Sequence, residues 1–382
     1  MSRRVLILGG GFGGVAAASR LRTLLDPDDE IVLVDRRTHF MMGFRKTMAV
    51  VGREPMDTGR RPIAALSDRG VRVIEGDITR IDPSARAAEV DGERIEADAL
   101  LVALGAETVP GAVPGLAEHG INVYSADEVP RAAEALARLD GGRVVIGIFG
   151  APYKCAPAPY ELAILAKESS DARGVKLDYT VFTPQPLSLP VIGKAGCEAI
   201  EGRLAGLWIE FRPDTKVERV EAGRVILKDG AGEIPFDLLL AVPPHRVPPI
   251  VVDAGLAEKG AWVKVDRATL ETAFDGVHAV GDVTGIPMAN GQPVPKAGVF
   301  AEGEGVIVAE RIAARLLGRE PDATFGGEGF CFLEVGNGEA MLVRGNFYAE
   351  PAPAVELTLP SREYFEQKTV FERERLASWF GS

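Results

Sequence analysis

Val5-Leu6-Ile7-Leu8-Gly9-Gly10-Gly11-Phe12-Gly13-Gly14, with Ile31-Val32-Leu33-Val34-Asp35 downstream of it, is the stretch whose reading decides the fold. The first apolar run reads as a buried strand, Gly13–Leu25 as a helix and the second run as another strand. That order makes a βαβ unit, which implies a parallel sheet. Gly9, Gly11 and Gly14 fall in the pattern G-x-G-x-x-G between strand and helix. Glycine there lets the backbone turn tightly and approach a pyrophosphate, which the unpaired N–H groups of the helix N-terminus then bind. Asp35 ends the next strand, where a carboxylate accepts from a ribose hydroxyl. These residues, with Phe12 and Gly13 in the turn and Arg36 beside Asp35, form the expected edge of a dinucleotide site. The plainer readings are a packing turn for the glycines and a helix cap or surface charge for Asp35.

Outward from this unit, the chain has 382 residues, 46% hydrophobic and 26% charged. That is enough for two or three domains with a sizeable core, and it excludes a disordered or collagenous chain. A net charge of −12 without a long basic run makes nucleic acid an unsuitable partner. Three cysteines, Cys155, Cys197 and Cys331, are too few for a secreted disulfide framework, so a disulfide here would be catalytic. Ser2-Arg3-Arg4 ahead of an apolar run superficially resembles a signal peptide, but reads better as a strand entering the glycine loop. The longest apolar candidate, Leu238–Val252, is broken by Pro243, Pro244, His245 and Arg246, so no spanning helix is expected.

A second βαβ-like unit runs from Val144–Ile148 through a helix near Tyr160–Glu168 to Leu177–Phe182. The chain then returns to the first domain through Phe236–Val242 and Gly276–Asp282, into a long helix at about Ala297–Leu317. The expected class is α/β, with two Rossmann-like nucleotide-binding domains and a C-terminal α+β region. Residues 1–105 and 236–318 make the first domain, 106–235 the second, degenerate one, and 319–382 the C-terminal region.

Phe274-Asp275-Gly276-Val277-His278-Ala279-Val280-Gly281-Asp282 is an apolar strand ending in Gly-Asp, which can aim Asp282 at the ribityl chain of a flavin. With Ala103-Leu104-Gly105 between the two motifs, the chain resembles the two-dinucleotide-domain flavoprotein disulfide reductase superfamily, departing from its Ala-Thr-Gly strand at Leu104. The resemblance implies FAD, with Gly105, Gly281 and Asp282 among its contacts. Where a nicotinamide domain carries a second glycine fingerprint, this sequence has Phe149-Gly150-Ala151-Pro152-Tyr153-Lys154-Cys155-Ala156-Pro157-Ala158-Pro159. Proline has no N–H to offer phosphate, and Phe182-Thr183-Pro184 supplies no ribose carboxylate, so a nicotinamide donor is disfavoured.

Cys155 with Lys154 and Glu161 close by, and Cys331 in Gly329-Phe330-Cys331-Phe332-Leu333-Glu334, resemble the sulfide:quinone oxidoreductase and flavocytochrome c sulfide dehydrogenase branch. In that branch one cysteine of the degenerate domain and one of the C-terminal region face each other across the flavin. The chemistry is self-sufficient: hydrosulfide or a thiolate attacks a disulfide sulfur, and the released thiolate passes two electrons to FAD. Lys154 could keep Cys155 ionised and Glu161 could move protons, or both could be solvated helix residues. Cys197 reads as a structural thiol. The third cysteine of some family members has no counterpart, which puts covalent flavin attachment and a three-cysteine relay in doubt.

Pro295-Lys296-Ala297 resembles the family segment under the flavin's pyrimidine edge, where Lys296 would stabilise reduced flavin, although a solvated lysine fits too. His39, His119, His245 and His278 lack metal-ligand spacing, so no metal is expected. In the tail, Tyr364, Phe365, Phe371, Leu376, Trp379 and Phe380 share about half a helical wheel, interrupted by Lys368, Glu372 and Arg375. A membrane-surface helix and a helix packed on the same chain or a dimer partner both fit. Phe330, Phe332, Leu333, Phe347 and Tyr348 could wall a quinone pocket or fill a core.

The expected protein is an FAD-dependent oxidoreductase that oxidises sulfide or a small thiol and reduces quinone, a homo-oligomer on the cytoplasmic side of a membrane. The alternatives are a type II NADH:quinone dehydrogenase and a non-catalytic flavoprotein sensor.

Overall fold

A computed structural model describes residues 2–381. Arg4–Leu8 is the centre of a five-stranded sheet in the order Val277–Ala279, Ala99–Val102, Arg4–Leu8, Glu30–Asp35, Arg72–Glu75. Every neighbouring pair is parallel. Both faces of such a sheet are covered, which explains runs such as Val5–Leu8 that are apolar at every position rather than at alternate ones. Helix α1 (Phe12–Leu24) leaves the first strand through the glycine turn. Gly9 adopts φ +108°, and a Cβ there would stand 2.4 Å from the Ala103 carbonyl oxygen of the neighbouring strand. Helix α2 (Arg45–Val50) follows the second strand.

The second sheet is also parallel, in the order Ile121–Asn122, Leu238–Val242, Gly142–Ile148, Leu177–Phe182, Ile209–Arg212. Helix α3 (Ala158–Ala172) is the crossover between its two long strands, four residues longer at its C-terminal end than the apolar pattern suggested. Leu238–Val242 corrects the expected return to the first domain at residue 236, because it pairs with Gly142–Ile148 inside the second sheet. The physical reason is that a strand buried on both faces reads Leu-Leu-Leu-Ala-Val in either sheet, so its sequence does not say which neighbour it takes. The first sheet is rejoined only at Val277–Ala279, which leads into helix α4 (Gly298–Leu316). Helices α1 and α4 approach closely where Gly13 faces Gly305, whose Cβ would meet the Gly13 carbonyl oxygen at 2.3 Å.

The C-terminal region is an antiparallel sheet of Glu328–Gly336, Glu339–Asn346 and Ala354–Leu357, closed by helix α5 (Arg362–Phe380). The buried face of α5 is not the aromatic stripe expected from the wheel: Lys368, Glu372, Leu376 and Trp379 are buried, whereas Tyr364 and Phe365 are half-buried. Trp379 packs edge-on against Phe12 at 5.8 Å and Phe40 at 5.4 Å, so the tail helix docks on its own chain beside the glycine turn. Its buried charges are matched: Arg45 pairs with Glu372, and Arg375 with Glu302 at 2.6 Å. Among the described residues, no helix is long and apolar enough to cross a membrane.

Candidate active site

The first-sheet turns, the second-sheet helix and the C-terminal region converge on one cavity of about 490 Å³. Gly9, Gly11, Phe12, Gly13, Asp35 and Arg36 line one end; Gly105, Gly281, Asp282 and Lys296 line its length; Lys154, Cys155, Glu161 and Cys331 line the other. Gly14 is buried outside it, where a Cβ would lie 1.8 Å from the Gly9 carbonyl oxygen, so its part is helix–strand packing.

The glycine end fits a dinucleotide. Gly11 caps α1 without any side-chain hydrogen bond, leaving first-turn N–H groups free for phosphate. Asp35 accepts from Gly10 N at 2.6 Å and from the Arg37 guanidinium at 2.7 and 3.0 Å. Burial works against its ionisation, but Arg37 wins and holds the carboxyl below its ordinary range. Arg36, singled out from the sequence, also lines this end of the cavity, exposed and 3.9 Å from Glu107, while Arg37 is the residue that pairs with Asp35. Successive residues leave a strand end on opposite sides, so the partner of Asp35 is one position further on.

Asp282 sits in the short turn Gly281–Val283 after the strand Val277–Ala279. Two buried groups hold that turn. Glu304 on α4 accepts the Gly281 N–H at 2.6 Å, and burial pushes its carboxyl up to about 7. Lys296 donates to the carbonyls of Asp282 at 2.8 Å and Thr284 at 3.0 Å, with its ammonium 3.4 Å from the centre of the Trp262 ring. Burial lowers the Lys296 pKa to about 8. Lys296 is thus no solvated lysine; it is 4% exposed and tied beneath the Asp282 turn.

Cys155 adopts φ +48°, a left-handed conformation costly for a residue with a Cβ. Its N–H donates to the Lys296 carbonyl at 2.7 Å, and its own carbonyl accepts from Tyr124 Oη at 3.1 Å. Tyr124 marks the first-domain crossing, where the chain carries no cysteine. Cys331, on the strand Glu328–Gly336, lines the cavity together with Cys155; its Sγ donates to the Phe332 carbonyl at 3.6 Å, and both cysteines are free thiols. Each thiol shifts the other: the neighbouring Cys331 lowers the pKa of Cys155, while Cys155 and burial raise that of Cys331 well above the ordinary thiol value. Cys155 is therefore the more acidic thiol of the two. Cys197 lies fully buried on the helix Gly193–Gly206, its thiol pushed up by burial, as a structural cysteine would be.

Glu161, on the first turn of α3, is 3% exposed rather than solvated. It accepts from Lys368 Nζ at 3.0 Å and from the Glu334 N–H at 2.9 Å; Lys368 also meets Glu334 at 2.8 Å, and Arg53 meets Glu334 at 3.0 Å. Burial raises the Glu161 pKa against the pull of Lys368, while the two carboxylates raise that of Lys368 against burial. The sequence reading missed Lys368 as a site residue because it counted only as a break in an apolar face. It missed Lys46 too, which lines the cavity from α2. Lys154 lies in the same cavity, its Nζ donating to the Ala106 carbonyl at 3.1 Å.

Beyond the cysteines, Phe330 and Phe371 meet edge-on at 5.5 Å. Both also line a neighbouring groove of about 1340 Å³ between α4, the C-terminal sheet and α5, with Val306, Ile307, Phe325 and Leu342. Phe332 shares that position, whereas Leu333 and Phe347 are core.

The family model described as pyridine nucleotide-disulphide oxidoreductase matches residues 3–305. The sulfide-quinone reductase of Aquifex aeolicus is 29% identical over 334 residues, covering 82% of this chain and 76% of that protein. The mitochondrial sulfide:quinone oxidoreductase of Mus musculus is 24% identical over 367 residues, covering 91% and 79%. The solved structure of the Aquifex aeolicus sulfide:quinone oxidoreductase superposes with a TM-score of 0.90 at 26% identity, covering 99% of this chain and 92% of that one. These matches bear out the resemblance read from the two cysteines and the flavin motifs. A family match over most of the chain, on a cavity built for a dinucleotide, places the protein in the pyridine nucleotide-disulphide oxidoreductase family as an FAD-binding oxidoreductase.

Proposed function

We propose that the protein oxidises sulfide, or a small thiol or persulfide, through Cys155 and Cys331 and passes the electrons by way of FAD to a quinone. The observation that carries this reading is that two thiols from distant segments line, and act on each other within, the cavity that also holds both dinucleotide turns. Bound FAD supplies a two-electron acceptor for a thiolate and a two-electron donor for a quinone.

In the oxidised enzyme Cys155 and Cys331 form a disulfide, which hydrosulfide attacks. One S–S bond breaks, a persulfide S–S bond forms, and the other cysteine leaves as thiolate carrying the electron pair. A lower-pKa thiol leaves faster, and Cys155 is the lower of the two, so the attack falls on Cys331 and Cys155 departs. Glu161, buried beside the pair and raised in pKa, takes the proton of the incoming sulfur. Phe330 and Phe371 offer the quinone ring an apolar slot reached through the neighbouring groove. The surface proposed to meet lipid is the mouth of that groove, where Val355 and Phe371 lie.

The test is steady-state quinone reduction with sulfide and with NADH as donor. Sulfide-dependent turnover lost in Cys155→Ser and Cys331→Ser supports the reading; NADH-dependent turnover that survives both substitutions moves the protein to the type II dehydrogenase alternative.

A further inference from the structure

Two half-buried ammoniums face the cysteine cavity without a direct ion pair among the described residues; Asp282 acts on both, and Glu107 on Lys154, only from a distance. Lys46 comes from α2 and Lys154 from the loop before α3, and both line the cavity with Cys155. Among the neighbouring cations, Arg45 is matched with Glu372 and Lys368 with Glu161 and Glu334, while Lys296 is tied to the carbonyls of Asp282 and Thr284. Among the described residues, neither Lys46 nor Lys154 has an ion-pair partner, and Lys154 finds only the Ala106 carbonyl. Helix α2 fixes the direction of Lys46, because Arg45 is locked inward on Glu372 while Phe44, Lys46, Thr47 and Val50 turn to the cavity. Holding unpaired cations out of water is costly unless an anion joins them.

We propose that Lys46 is a further catalytic residue: its ammonium and that of Lys154 form a two-lysine seat beside Cys155 that holds the electron donor as a small monoanion, hydrosulfide or a small thiolate. This rests on the donor chemistry proposed above and adds the form in which the donor is bound and the residue that binds it. The need is electrostatic. An anion approaching the cysteine pair meets Glu161, and its attack carries its negative charge on to Cys155; two nearby cations offset that charge at both positions. Burial and the neighbouring Lys154 bring Lys46 down to about 8, where it stays mostly protonated at neutral pH and regains basicity when an anion arrives.

The experiment compares alkylation of Cys155 by iodoacetate, an anion, and by iodoacetamide, its neutral analogue, in holoenzyme carrying Cys331→Ser, with the modified peptide quantified by mass spectrometry. The ratio of the two rates cancels the thiolate fraction and reads the local charge alone. The ratio should fall about fivefold or more in Lys46→Met and in Lys154→Met and return in Lys46→Arg, at equal FAD content. Lys46→Gln replaces the Met variant if that one loses FAD. In the enzyme with both cysteines, the same Lys46 variants should raise the sulfide concentration for half-maximal flavin reduction about tenfold. An unchanged alkylation ratio in Lys46→Met overturns the seat, whatever sulfide does. A normal ratio effect in a protein that sulfide fails to reduce keeps the seat and removes the sulfide reading instead.

Discussion

The Lys296 carbonyl accepts the N–H of Cys155 at 2.7 Å while the Lys296 ammonium donates to the carbonyl of Asp282 at 2.8 Å. One residue therefore ties Cys155, in the loop that follows the second sheet's Gly142–Ile148 strand, to the Asp282 turn that follows the first sheet's Val277–Ala279 strand. Two elements more than 120 positions apart in the chain, each irregular, are held in register by the segment just before α4.

Lys296→Met should uncouple the Asp282 turn without cutting the backbone tether to Cys155. Loss of a positive charge beneath the flavin site disfavours the anionic reduced cofactor. The flavin midpoint potential should fall and reduction by sulfide slow by about tenfold or more; spectroelectrochemical titration checks the first and rapid mixing the second.

Glu304 makes a pH-dependent contribution to stability. Its folded pKa of about 7 lies above the 4.5 of an ordinary glutamate, so between those values the folded state binds more protons than the unfolded. The stabilisation is fully present below pH 4.5 and lost as pH rises through about 7, a span worth about 3 kcal/mol. Glu304→Gln keeps an acceptor for Gly281 N–H without the buried charge. Its advantage in urea stability over wild type should be larger at pH 8 than at pH 5.

Lys368 lies between two buried carboxylates. Lys368→Met leaves Glu161 and Glu334 facing each other with only Arg53 to compensate, and should cost about 3–5 kcal/mol in denaturant unfolding. Adding Glu161→Gln removes one stranded charge and should recover part of that loss, which a double-mutant cycle measures.

The neighbouring Cys331 thiol lowers the Cys155 pKa. Cys331→Ala removes that thiol, so the pH midpoint of Cys155 alkylation by iodoacetamide should move upward, whereas Cys197→Ala should leave it in place.

The βαβ units, both flavin motifs and the cysteine pair were legible because each is carried by residues close in sequence or by a rare residue type. Leu238–Val242 was not assignable to its sheet, since strands buried on both faces look alike. Lys46 was hidden because α2 has only six residues, too few for a periodic signal. Lys368, Glu372 and Trp379 were hidden for the opposite reason: their partners Glu161, Arg45 and Phe12 lie hundreds of positions away, and a buried lysine in a helix looks like a flaw until its carboxylates are seen. Arg37 was displaced from notice by Arg36, one step along a strand end.

The most direct test of the account is anaerobic rapid mixing of the FAD-loaded enzyme with one equivalent of sulfide, following the flavin's visible absorbance. The account predicts bleaching within a single turnover, recovery on adding a soluble quinone, and loss of the bleaching in both Cys155→Ser and Cys331→Ser. Bleaching that persists in those variants, or that NADH produces and sulfide does not, would contradict it.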